Sequence, residues 1–154
     1  PNNRDPLPED RPSLTRRQPA GACLLVRRED HERLGGWDER YWFWYEDVDY
    51  SKRLLDAGDA LYVPDAVFRH VGKASTSHWD KPRQHERLYH GTLQYAAAHL
   101  PWRRRAFVGL LMAMAAVPRI ARHARRDRRS VRVYGHLFWD GLRVAAGSDP
   151  RRPV

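Results

Sequence analysis

Residues 106–117, AFVGLLMAMAAV, are the longest uninterrupted apolar run in the chain, and arginines stand on both sides of them. A membrane span takes ~20 apolar residues, so this run of a dozen falls short of one. With Arg103, Arg104 and Arg105 before it and Arg119 and Arg122 after it, the run suits a helix lying in a membrane–water interface. An ordinary buried helix with a solvated basic end fits the same pattern. Residues 131–146 read as a second amphipathic helix.

Charge sharpens this division. Residues 101–154 carry 13 Arg against 3 Asp, a balance of +10, whereas residues 1–100 carry 15 basic and 16 acidic side chains. A polyanionic partner therefore meets the last third of the chain: an anionic membrane surface, nucleic acid or an acidic polymer. Apolar residues make up 42% of the 154, enough to build a core and to argue against wholesale disorder. The single cysteine, Cys23, excludes an internal disulfide and a cysteine-based metal site. The first 21 residues lack the apolar stretch of a signal peptide.

Residues 1–19, with five prolines, read as loop or linker. AGACLLVRR (20–28) predicts a buried strand, and EDHERLGG (29–36) a short helix closed by Gly35 and Gly36. EDVDYSKRLLDAG (46–58) predicts a helix with acids in its first turn and Gly58 past its end. ALYVP (60–64) and AVFRHV (66–71) read as two short strands around a Pro64-Asp65 turn. A polar loop follows, then a helix over 83–100 that stops at Pro101. The expected organisation is a linker over 1–19, an α/β segment over 20–100, and a basic helical tail over 101–154.

The stretch YWFWYEDVD (41–49) sets five rings against three acids. At about 100° per residue, Asp47 falls on the face of Tyr50, Ser51, Leu54 and Leu55. Asp49, Lys52, Arg53 and Asp56 fall opposite, on the expected wet side, with Glu46 on the flank. An inward carboxylate is costly unless paired or used. It either finishes a helix N-terminus under an aromatic lid or serves a cleft, and rings with polar tips suit a sugar cleft.

From Gly21 to Ser75 the sequence resembles the C-terminal half of a family 2 glycosyltransferase of the GT-A fold, rhamnosyltransferase-like in flavour. The resemblance rests on an ordered set of pieces. They are Gly-Ala, Gly-Gly-Trp-Asp-Glu, Glu-Asp-Val-Asp, Arg-Leu-x-x-Ala-Gly, Tyr-Val-Pro, and His followed by Gly and Ser. It implies an incomplete GT-A fold with mixed short strands, followed by C-terminal helices. It implies Asp47 as the general base of an inverting transfer from a nucleotide-sugar donor to a saccharide or lipid-linked acceptor, in cell-surface polysaccharide synthesis. Glu46 and Asp49 then support the helix start. Trp37, Asp38 and Tyr41 are candidates to line the acceptor cleft. His70 matches a histidine that in some relatives binds a divalent metal, Mg or Mn, on the leaving diphosphate.

The family's opening half carries the nucleotide and an acidic metal-binding motif, and no such motif stands upstream of Gly21. The chain therefore reads as an acceptor-and-base half, its metal shared with a motif it lacks. The expected location is cytoplasmic, peripheral at the inner face of the plasma membrane. The alternatives are a catalytically incomplete remnant, or a non-enzymatic basic module that binds anionic membrane or nucleic acid. No nucleic-acid-reading motif supports the last.

Overall fold

The computed structural model describes residues 11–19, 21–70 and 76–151. They are mostly helical, with one short strand pair, and fall into two compact units. Residues 40–45 belong with the segment from 75 onward, and residues up to 39 belong with 46–74.

The first unit contains β1 (Ser13–Thr15), α1 (Arg28–Arg33), α2 (Glu46–Ala57) and β2 (Ala60–Tyr62). β1 and β2 pair antiparallel, with Leu14 opposite Leu61. Arg16 secures the pair by donating to the Leu55 carbonyl at 2.9 Å and meeting Asp59 at 3.3 Å. α1 ends where the sequence places its glycines: Gly35 and Gly36 have φ of 72° and 73°. Such backbone suits residues without a Cβ. α2 ends at Ala57, and the Gly58 amide closes its last turn on the Leu54 carbonyl.

Three expectations fail in this unit. Residues 21–27 form no strand, and Leu25 is 98% exposed; Ala20 lies outside the described residues. Residues 66–70 form no strand, with Val67 and Phe68 exposed; residue 71 again lies outside the described residues. An apolar run becomes a strand only when a neighbour takes its backbone hydrogen bonds, and no neighbour among the described residues does so for either. Conversely, β1 lies in the stretch read as linker, where Leu61 and its neighbours supply a partner that composition cannot reveal.

The second unit is a three-helix assembly of α3 (Lys81–His99), α4 (Trp102–His123) and α5 (Arg128–Ala145). Asp80 caps α3 through the Arg83 amide, and Asp127 caps α5 through the amides of Arg129 and Ser130. Pro82 in the first turn of α3 gives up an amide that lacks a helical partner anyway. The core joins Leu93 and Ala96 of α3, Ala116 of α4, and Tyr134, Leu137 and Val144 of α5. α4 and α5 cross at two glycines. A Cβ on Gly109 would run into the Gly141 carbonyl oxygen, and one on Gly141 would lie 2.5 Å from the Gly109 oxygen. Arg105 ties the ends together, donating to the carbonyls of Ala97 and Val144.

α4 is longer than its apolar run. Its 22 residues match a membrane span by length and composition alone, and only 17% of its apolar window is buried. Phe107, Leu110, Leu111, Met114 and Val117 are all about half exposed or more.

Candidate active site

The three acids that open α2 sit where backbone amide donors lack helical partners, yet their surroundings differ. Asp47 is half-buried. Its Oδ2 accepts from the Gly21 amide at 3.0 Å and its Oδ1 from the Val48 amide at 2.9 Å. The approach of the Gly21 loop depends on a missing side chain, since a Cβ there would lie 2.6 Å from Asp47 Cβ. The Gly-Ala step expected to open a strand instead lets a main-chain donor reach this carboxylate.

Asp49 overturns the wheel. It is 2% exposed rather than wet, so Asp47 is not the one inward acid. Arg53, one turn on, meets Asp49 at 2.8 Å. The same guanidinium donates to the carbonyls of Leu34 and Gly36, both at 2.9 Å. A buried charge is tolerated when paired in this way, and a hydrophobicity wheel does not register ion pairs. Tyr50 and Ser51 are buried as the wheel expects. Glu46 is half-buried, and its Oε2 has no hydrogen-bond partner among the described residues. Burial pushes its carboxyl pKa up; its own backbone amide opposes this and Asp47 adds to it.

Of the residues expected at an acceptor cleft, Trp37 packs against Tyr50 with ring centroids 4.3 Å apart and planes tilted by 35°, and stays 45% exposed. Asp38 is half-buried. Tyr41 is buried and belongs to the second unit, whereas Trp37 and Asp38 belong to the first. His70 is exposed and makes no hydrogen bond or ion pair among the described residues. No group of three or more His, Cys, Asp or Glu among the described residues is placed to hold a metal ion. The described fold therefore does not assemble a metal centre around His70.

The rings of 42–44 gather around Trp79, just ahead of α3 in the second unit. Trp42 and Trp79 stack with centroids 5.7 Å apart and planes 21° apart, and Phe43 lies 4.8 Å from Trp79. Arg83 Cζ sits 4.6 Å from the Trp79 ring, and Arg87 Cζ 4.3 Å from that of Trp42. Sequence reasoning passed over Trp79, Arg83 and Arg87. The available signal was the four-residue spacing of the two arginines, which puts both on one helical face. The chain reaches this cluster through strained backbone: Trp44 and Tyr45 have φ of 62° and 71°, a region costing about 1–3 kcal/mol per bulky residue. Gly91 makes room, because a Cβ there would lie 2.9 Å from Tyr45 Cδ2 and 3.0 Å from the Trp44 oxygen.

No family model matches the chain, and no solved structure matches it. Two curated relatives do. They are the N-acetylglucosaminyl-diphospho-decaprenol L-rhamnosyltransferases of Mycobacterium tuberculosis strains CDC 1551 / Oshkosh and ATCC 25618 / H37Rv. Each is 43% identical over 72 residues, which is 46% of this chain and 23% of the relative. The chain thus spans well under half the length of the relatives it matches. Over that segment it has a glycosyltransferase-like relationship.

Proposed function

We propose that the chain is the acceptor-and-base part of an inverting glycosyltransferase of family 2, with a partial GT-A fold. It takes a sugar from a nucleotide-sugar donor and adds it to a saccharide or lipid-linked acceptor in cell-surface polysaccharide synthesis. The observation that carries the reading is the 43% identity to rhamnosyltransferases over 72 residues. The Asp47 geometry agrees with it. Its carboxylate is fixed by two main-chain donors, from Gly21 and Val48. A fixed carboxylate can take the proton from an acceptor hydroxyl as that oxygen attacks the anomeric carbon. The new bond is acceptor oxygen to anomeric carbon, the broken bond is anomeric carbon to diphosphate oxygen, and opposite-side departure inverts the centre. The exposed apolar residues of the first unit, Leu25, Val67 and Phe68, suit a surface completed by further strands.

His70 is offered as one ligand of a Mg or Mn ion whose other ligands come from outside the described residues. Such an ion would act as a Lewis acid on the leaving diphosphate. The exposed apolar face of α4, bracketed by Arg103, Arg104, Arg122, Arg125 and Arg126, suits peripheral docking on an anionic inner membrane face, where a lipid-linked acceptor resides.

The test is sugar transfer from nucleotide sugars to lipid-diphosphate-linked saccharides, with Asp47→Asn beside the parent. Loss of a general base lowers turnover by about 10²–10⁴-fold. Turnover equal to the parent's removes Asp47 as base.

A further inference from the structure

The cluster on α3 has the chemistry of a ligand site. Trp42 is 55% exposed although its ring is stacked on Trp79. The pair offers a broad apolar face of the kind that stacks on the C–H face of a sugar. Beside it, Arg83 and Arg87 have no carboxylate partner among the described residues. Asp80 is committed elsewhere, capping the helix through the Arg83 amide and pairing with Arg129. Glu86 acts on Arg87 through its charge without forming an ion pair. Arg87 Nε is buried and has no acceptor among the described residues. Burial pulls the Arg87 guanidinium below its usual pKa, with Glu86 opposing and Arg83 adding to the pull. Two like charges one turn apart repel, and a buried unpaired donor is costly. A ligand with two negative charges relieves both costs, whereas a single carboxylate relieves only one.

We propose that Trp42, Trp79, Arg83 and Arg87 form a platform for a glycosyl diphosphate, the sugar on the indoles and the diphosphate on the guanidiniums. The choice of a sugar-bearing diphosphate rests on the glycosyltransferase reading above; the need for a stacked, doubly anionic ligand comes from the cluster itself. Either reactant of that reading supplies this chemistry, the lipid-linked acceptor or the nucleotide-linked donor.

Tryptophan-fluorescence and calorimetric titrations of the chain test it. The probes are N-acetylglucosaminyl diphosphate on a short prenyl chain, a nucleoside-diphosphate sugar, free N-acetylglucosamine, and a single-stranded oligonucleotide. Losing one charge-assisted donor weakens phosphate binding by about tenfold or more. Arg87→Gln is therefore expected to weaken the diphosphate probes by that factor and leave the free sugar unchanged. Trp42→Ala is expected to weaken both kinds of probe, with far-UV circular dichroism as the folding control. The tighter of the two diphosphate probes identifies the source. Parent-like affinity in both variants overturns the platform, as does preference for the oligonucleotide. The two proposals separate cleanly. Transfer that needs Asp47 but neither Arg87 nor Trp42 keeps the enzyme and discards the platform. Diphosphate binding that needs Arg87, alongside full activity in Asp47→Asn, does the reverse.

Discussion

Two histidines of α3 sit where a positive charge is unwelcome. His85 Nδ1 lies 2.8 Å from the Tyr134 hydroxyl, and burial, then Arg119 and Lys81, pull its pKa below 6.5. Burial also lowers His90, with Arg87 adding to it and Asp140 and the Arg151 backbone opposing. A histidine with a depressed folded pKa binds protons more readily in the unfolded chain. Stability is then full above 6.5 and declines as pH falls through 6.5 toward the folded pKa. Thermal melts from pH 7.5 to 5 should show a falling midpoint. His85→Gln with His90→Gln should flatten that slope, and His78→Gln, at an exposed site, should not; equal slopes in all three would refute the assignment. At this scale the sequence is legible where a role is local. Asp47 at a helix start is visible from its neighbours alone. Asp49 is not, because its burial depends on Arg53 reaching carbonyls of the Gly35–Gly36 turn, two segments away.

Helix ends follow punctuation the sequence displays, with Gly58 after α2 and glycines closing α1, whereas the Asp80 cap and Pro82 that start α3 stand in the stretch read as polar loop. The strand expected at 60–64 is present as β2, whereas those expected at 20–28 and 66–71 are not, because pairing is a property of two segments, as the unpaired run 21–27 and the unexpected β1 both illustrate. The α4–α5 crossing was also hidden, since glycine inside a helix looks like a weakness until its facing partner is known. Gly109→Leu should cost at least about 1–3 kcal/mol by overpacking, read from urea melts. Gly135→Ala in α5, where a Cβ meets nothing within 4 Å, serves as the control. It should be neutral or stabilising by up to ~1 kcal/mol, as Gly→Ala is at a compatible helical site. Equal effects at the two positions would mean that the close crossing is absent.

Taken whole, the molecule concentrates its charge excess in the unit that also leaves an apolar helix face uncovered. The charge asymmetry was plain in the sequence; the open face was not, because burial depends on which helices meet. The chain is expected to float with vesicles containing anionic lipid, less so as salt rises. Phe107→Glu with Met114→Glu should abolish flotation at every salt concentration. Equal flotation on neutral and anionic vesicles would exclude electrostatic docking.

The Gly109–Gly141 crossing bears on how this sequence can diverge. What blocks a larger residue at either position is chiefly main chain, the carbonyl oxygen of the opposing glycine, and every amino acid carries that atom. No exchange on the facing helix can make room, so paired compensation is closed to these two sites. Homologues that keep this crossing should show both glycines unchanged while the surrounding side chains vary.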